Sequence, residues 1–225
     1  MNNNKEIKFL NRFTHCKFIY NMLLDKIIKI PTPENWPDKN DSKPLLDYCE
    51  ALGHEKIYAL CFTHEPETIY HWYINNHIAD TCCVEFDYNM LKKHFTDADF
   101  SSGKVKYKKL KVSNDSEESY KTVDFENIPF SKRWPYRIES EYRFIRTEKE
   151  SDKALFNVPI NIDCINRITT ADPWWKARFQ SLKDNNNYSF DINSTTLEEN
   201  QTWLKHMDGL TAQNNKHTTI NNLES

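Results

Sequence analysis

Residues 131–146 read SKRWPYRIESEYRFIR, and the last eight of them, ESEYRFIR from Glu139 to Arg146, alternate in side-chain character. On an extended strand successive side chains point to opposite faces, so Glu139, Glu141 and Arg143 are expected on one face and Ser140, Tyr142 and Phe144 on the other. The aromatic face should be core. Two carboxylates and a guanidinium then project together from a strand anchored on its other side, which is a stiff base for a polar site. The alternative is an exposed strand face carrying a cross-strand ion pair.

Further short elements lie on both sides of this strand. KIYALCFT (56–63), TCCVEFD (81–87) and KVKYKKLKV (104–112) read as strands from their β-branched and aromatic content, with NVPINID (157–163) and RITT (167–170) as shorter ones. Residues 15–29 read as an amphipathic helix followed by a short apolar exit, with Phe18, Ile19, Met22, Leu23 and Ile27 at helical spacing, and Pro31 and Pro33 stop it. HEPETIYHWYINNH (64–77) and YNMLKKHF (88–95) are predicted as short helices. Asp172 and Pro173 form an N-cap and first-position pair for the helix DPWWKARFQSLKD, and Thr196 with Glu199 makes a capping box for another over 195–207. PTPENWPDKNDSKP (31–44) reads as a loop, long enough to act as a lid or binding loop. The prediction is a compact single α+β domain over 1–184, followed by a polar, partly helical or disordered tail over 185–225.

Composition narrows the function classes. The 225 residues include only three glycines, Gly53, Gly103 and Gly209, so neither a P-loop nor a G-x-G-x-x-G turn can be written anywhere. Mean hydropathy of -0.81 and 28% charged residues argue against a membrane span. MNNNKEIKFL lacks an apolar run of signal-peptide length, which predicts a cytoplasmic protein, and six cysteines without C-x-x-C spacing are expected to be reduced. A net charge of -3 gives no global attraction to nucleic acid. Locally, however, four of the seven arginines, Arg133, Arg137, Arg143 and Arg146, fall within residues 131–146, and Lys104, Lys106, Lys108, Lys109 and Lys111 form a second basic run.

Two other segments hold candidate site residues. Arg12-Phe13-Thr14-His15 precedes the first helix, where Arg12 is either a surface arginine or an anion ligand and Thr14 a helix cap. Cys61-Phe62-Thr63-His64 ends a strand in a hydroxyl and an imidazole, with capping of the following helix as the other role for Thr63. His64, His71, His77, Cys82 and Cys83 match no metal-ligand spacing, so no metal is expected. His71-Trp72-Tyr73 reads as packing, or as a surface on which a flat ring stacks.

The segments ALCFTHEPETIYHWY, CCVEFDYNML, KVKYKKL and KRWPYRIESEYRFI, in this order, resemble an uncharacterised prokaryotic family, domain-of-unknown-function group 2971. The likeness spans about residues 9–175, and its most specific element is W-x-x-E-x-E-x-R. Here Arg137 and Ile138 lengthen the spacing between Trp134 and the glutamates, and Trp36-Pro37-Asp38-Lys39-Asn40-Asp41 replaces the family's N-D-P-F-E segment. The order of the candidates is also similar to the R…S/T…E-x-E pattern of ADP-ribosyltransferases, compact α+β enzymes without a Rossmann turn.

That second resemblance implies NAD as substrate, with Arg12 on a phosphate or ribose and Thr63 positioning the ribose. It places Glu141 on the nicotinamide ribose, where it stabilises an oxocarbenium-like transition state, and Glu139 on the acceptor. Trp72 or Tyr73 would stack on nicotinamide, Arg143 would assist cofactor binding, and His15 with Tyr73 is the alternative pair to Arg12 with Thr63. It implies a toxin or defence effector acting on a macromolecular acceptor, protein or nucleic acid, with an antitoxin or partner engaging the C-terminal tail. Two other readings stand beside it. One is a nucleic-acid-binding or -processing protein using the clustered arginines; the other is a non-enzymatic interaction module docking through Trp203, Leu204 and Met207.

Overall fold

A computed structural model describes residues 6–73, 78–111, 119–120, 123–197 and 203–209. In chain order the strands are β1 (Phe9–His15), β2 (Ile27–Pro31), β3 (Lys56–Thr63), β4 (Thr81–Asp87), β5 (Ser101–Lys104), β6 (Lys106–Lys108), β7 (Leu110–Lys111), β8 (Ser119–Tyr120), β9 (Ser131–Arg133), β10 (Glu141–Glu148), β11 (Leu155–Pro159), β12 (Ile165–Thr170) and β13 (Asp191–Ser194). The α-helices are α1 (Cys16–Asp25), α2 (Lys39–Ala51), α3 (Ile69–Tyr73), α4 (Tyr88–Asp97) and α5 (Pro173–Asn186), with short 3-10 helices between. Seven strands form one sheet in the order β13-β12-β4-β1-β3-β10-β5, antiparallel throughout except for the β12–β13 pair.

The alternation read in ESEYRFIR organises this sheet. Tyr142 and Phe144 of β10 lie on one face with Leu60 and Phe62 of β3, Leu10 of β1, and Val84 and Phe86 of β4. This face is the main core. Phe62 meets Phe86 and Phe144 edge-on at ring-centroid distances of 5.7 and 5.6 Å, and Phe95 from α4 stacks on Phe144 at 4.0 Å. Helices α1, α4 and α5 and the two-stranded antiparallel sheet of β2 and β11 cover it through Ile19, Leu23, Leu91, Phe179, Ile28 and Val158. Burying such side chains contributes roughly 1.5–3 kcal/mol each, which makes this face the main source of stability.

The opposite face is covered only in part. Helix α2 packs Leu45 and Cys49 against Ile57, Ala59 and Ile145 in a smaller apolar cluster. One turn before Leu45, the same helical stripe places Asp41 over β10. Short α3 covers the end of β1, where His71 stacks on Phe13 with ring centroids 4.9 Å apart.

Several expectations are corrected here. Residues 31–44 are not a structureless loop: a 3-10 turn spans Pro33–Asn35, and α2 begins at Lys39 with Pro44 inside it. The Asp38 carboxylate accepts from Asn40 N at 2.9 Å and starts the helix. Pro44 is the sixth residue of α2, so it forgoes the bond that position would make to the Asn40 carbonyl, and the helix nevertheless continues through it to Ala51. Residues 104–112 are not one strand but the end of β5, then β6 and β7, because after Lys104 the chain leaves β10 and pairs in parallel with β9. The helix expected over 64–77 is α3 alone within the described residues, and 74–77 lie outside them. Asp191–Ser194, in the segment read as a polar tail, adds a parallel edge strand to the sheet. Residues 203–209 are helical; Glu199 of the expected capping box and residues 211–225 fall outside the described residues. Among the described residues no helix is long and apolar enough to cross a membrane.

Candidate active site

Register explains which side chains meet. Thr63 lies opposite Glu141 on β10 and opposite Asn11 on β1. Directly opposed residues share a face, so Asn11, Thr63 and Glu141 form a lateral row across three strands. Asn11 is in turn opposite Glu85, and Glu85 opposite Arg167 of β12, whose Nη2 lies 2.7 Å from Glu85 Oε2. The row from Glu141 to Arg167 is therefore polar throughout. Four interstrand spacings of about 4.8 Å make it roughly 19 Å long.

Two concavities open along it and share Asn11. One, of about 110 Å³, is lined by Asn11, Phe13, Cys61, Thr63, His71, Glu139 and Glu141. The other, of about 460 Å³, is lined by groups that include Asn11, Glu67, Glu85, Arg167, Thr169 and Asn193.

Glu139 reaches the cleft by a route that simple alternation does not give. It is the last residue of the 3-10 helix Trp134–Glu139, and Ser140 follows in the left-handed region with φ of 44°. β10 starts only at Glu141. Even so, Glu139 Oε2 and Glu141 Oε1 both reach Lys132 Nζ, at 2.5 and 3.3 Å. Lys132 also lies 3.2 Å from Asp41 Oδ2, while Arg143 Nη2 lies 2.6 Å from both Asp41 Oδ1 and Glu141 Oε2. Lys132, Glu141, Arg143 and Asp41 thus close a ring, with Glu139 attached through Lys132. Arg143 is 1% exposed, Glu139 7% and Glu141 8%, which overturns the reading of these residues as an exposed strand face.

Three carboxylates against two cations leave an excess negative charge, and the two glutamates divide its consequences unequally. Burial raises the Glu139 carboxyl pKa, the neighbouring Glu141 charge raises it further, and Lys132 compensates only in part. Burial also opposes ionisation of Glu141, but Arg143 and Lys132 outweigh it and hold its pKa below the usual carboxylate value. Burial works against the charged forms of Lys132 and Arg143, and the surrounding carboxylates reverse this and raise both. One glutamate is held ionised and the other is poised to exchange a proton, an arrangement suited to paired electrostatic and acid–base roles.

Neighbouring groups fix the pair. Glu141 N donates to the Tyr107 phenol oxygen at 2.8 Å, and Val105 N donates to Glu141 O at 2.9 Å. The Tyr70 hydroxyl donates to Glu139 Oε1 at 3.1 Å, tying α3 to the 3-10 helix across the cleft. Burial and the Glu139 charge push the Tyr70 pKa up to about 12, which keeps it a donor at neutral pH. Thr63 Oγ1 accepts from Glu65 N at 3.3 Å, so it also shapes the turn after β3.

The sequence candidates are brought together unevenly. Glu139, Glu141 and Thr63 line one cleft, and Arg143 sits beneath it as the partner of Glu141. Arg12 is on the other face of β1, among α1 and β2 side chains, and does not meet them. Asn11 occupies the corresponding place in the row. His15 shares the face of Asn11 and Phe13 but lies at the far end of β1, with its ring edge-on to Phe18. The Trp72 indole is fully buried and donates to Glu67 Oε2 at 2.9 Å, and Tyr73 is half exposed outside the cleft. The flat surface at the cleft is instead the Phe13–His71 pair. Asn11 and Phe13 follow from extending strand alternation to residues 9–15, and His71 belongs to the aromatic run 71–73 read as a stacking surface; Lys132 and Asp41 carry no local signal, because they converge from separate elements. Among the described residues no group of three or more His, Cys, Asp or Glu is placed to hold a metal ion.

No protein-family model matches the chain, so the likeness to group 2971 gains no support from that side, and no curated protein matches it. Among solved structures it is similar to Thermus sp. 2.9 DarT in complex with NAD+, with a TM-score of 0.42 and 10% identity over 84% of this chain and 96% of that one. The carba-NAD+ complex of the same protein gives the same values. The complex with ADP-ribosylated ssDNA gives a TM-score of 0.41 and 7% identity over 84% of this chain and 94% of that one.

Proposed function

We propose that this chain is an ADP-ribosyltransferase-like enzyme that breaks the nicotinamide–ribose bond of NAD and transfers ADP-ribose to a macromolecular acceptor. The observation that carries the reading is the row Asn11, Thr63 and Glu141, which opens onto two contiguous polar concavities with a pair of glutamates of divergent proton affinity at one end. In this reading the nicotinamide ring lies against Phe13 and His71, and the Asn11 and Thr63 side chains hydrogen-bond the adjoining ribose or carboxamide. The rest of the dinucleotide runs along the row toward Glu85 and Arg167.

Chemistry follows from the charges. When the C1′–N bond breaks, its electron pair leaves with nicotinamide, and positive charge develops at C1′ and the ring oxygen. Ionised Glu141, fixed by Arg143, Lys132 and Tyr107, stabilises that charge without reorganising, the kind of effect worth about 3–4 kcal/mol where it has been removed by mutation. The acceptor's lone pair forms the new bond to C1′, and its proton passes to Glu139. Burial makes Glu139 a stronger base than a free carboxylate, and Lys132 and Tyr70 hold it in place.

Acceptor approach is read from the 3-10 helix that ends in Glu139. Its Trp134 is partly exposed, with Lys109 Nζ 4.3 Å and the Arg137 guanidinium 4.9 Å from its ring centroid. A cationic strip with an exposed indole suits a single-stranded nucleic acid, whose phosphates the cations bind and whose bases stack. Consumption of NAD fits a cytoplasmic location, and a toxin or defence role belongs to the same proposal. The test uses NAD labelled in its adenylate half, incubated with the protein and single-stranded DNA or RNA. Label should enter nucleic acid with the parent and not with Glu141→Gln; equal labelling by both ends the proposal.

A further inference from the structure

Arg12 is the one arginine that has no ion-pair, hydrogen-bond or ring partner among the described residues. Arg143, Arg146 and Arg167 are ion-paired, and Arg133, Arg137 and Arg178 lie over aromatic rings. Burial lowers the Arg12 pKa to about 10, and the Cys61 and Cys82 thiols beside it, held protonated by their own burial, supply no counter-charge. At neutral pH it is therefore a half-buried positive charge with no counter-charge from the protein, free to take an anion.

What faces it is a cavity of about 250 Å³ between α1, β2 and β11, lined by Phe18, Ile19, Met22, Ile28 and Leu155 as well as Arg12. Lys29 also lines it, but its ammonium is 2.7 Å from Asp25 at the exposed rim. Phe18 and Leu155 remain 58% and 45% exposed. The lining therefore combines an apolar wall with a single unsatisfied cation, on the sheet face opposite Glu141.

We infer that this cavity binds a small amphiphilic carboxylate, a short aliphatic chain ending in a carboxylate group, with the Arg12 guanidinium on the carboxylate and the chain along α1. A guanidinium presents paired N–H donors that match the two carboxylate oxygens, and the other polar groups of the lining are Asn21 and the Lys29 ammonium, which is paired with Asp25. The volume lies just below the roughly 300–1,000 Å³ of drug-sized sites, so the ligand is small. The inference does not depend on NAD chemistry, because it uses neither the cleft nor the glutamates.

The test is calorimetric titration of the full chain with octanoate and, separately, 1-octanol. Octanoate should bind at least tenfold more tightly than the alcohol, the gain of a charge-assisted hydrogen bond. Arg12→Met should abolish that preference. Arg12→Lys, which keeps the charge without the paired donors, should retain the preference in reduced form and serves if the Met variant does not fold. Octanoate binding no tighter than octanol, or equally tight to Arg12→Met, overturns the inference.

Discussion

Lys132→Met removes the cation that three carboxylates share, Asp41, Glu139 and Glu141, and leaves Arg143 alone to face them. The Lys132 side chain is 9% exposed, so water cannot replace it without opening the site. Breaking a buried ion network by deleting one partner costs about 3–5 kcal/mol. For a domain of this length each kcal/mol lowers Tm by about 2–4 °C, so the loss near pH 7.5 is roughly 6–20 °C. The deficit should depend on pH in a defined direction. In the parent, Glu141 has a lowered folded pKa, so its contribution is present above the unfolded value of about 4.3 and is lost as pH falls through the folded value. Glu139 behaves oppositely: with a raised folded pKa, its ionised form costs stability at neutral pH, and protonation relieves that cost as pH falls toward about 4.3. Without Lys132 the Glu139 pKa rises further, so the variant regains stability relative to the parent on acidification. Thermal unfolding followed by circular dichroism at pH 7.5 and at pH 5 reads both effects. A loss under about 2 °C at pH 7.5, or a deficit that widens at pH 5, would show that the ring contributes little and that the glutamates are not coupled through Lys132.

Asp38→Ala removes the cap of α2 and should cost about 1 kcal/mol, with lower activity as well because α2 carries Asp41 to Arg143; equal stability of variant and parent by urea unfolding would contradict this. Glu139→Gln should abolish the acidic limb of the transfer rate's pH profile, a limb displaced above the ordinary carboxylate range in the parent, and an unchanged limb would assign the proton transfer to another group. Ending the chain after Leu197 should preserve folding and NAD consumption, whereas ending it after Lys183 removes β13 and the last residues of α5 and should lower Tm; equal Tm values would show that the edge strand is dispensable.

How much of this was legible depended on whether the signal was local. The alternation in β10, the strands β3 and β4 and the Asp172 cap of α5 are written in consecutive residues and appear where the pattern places them; helix α1 does so only to Asp25, because left-handed Lys26 ends it and Ile27 begins β2. Strand alternation puts Glu139 and Glu141 on one strand face, but a 3-10 helix and the left-handed Ser140 deliver Glu139 to the same lysine by another path. Helix α2 was hidden because Pro44 and the prolines before it outweigh a weakly apolar stripe of Leu45 and Cys49, and Asp41 was hidden with it. Arg12 and Asn11 are adjacent in sequence, yet strand alternation sends them to opposite faces, so the motif order that pointed to Arg12 could not distinguish the cleft from the core side. Which side chains meet at this site is decided by register between β1, β3 and β10, which is a tertiary property.

Glu141→Gln is the substitution on which the central claim rests. It removes one of three carboxylates from a ring with two cations, leaving the charges balanced, and the amide oxygen can still accept from Arg143, so the variant should fold. The decisive measurement is nicotinamide release from NAD by parent and variant, with equilibrium NAD binding measured on both. The expected result is near-equal binding and a release rate lower in the variant by about 10²–10³-fold, the loss of one charge aimed at the transition state. Release by the variant at the parent's rate, or no release and no NAD binding by the parent, would contradict it.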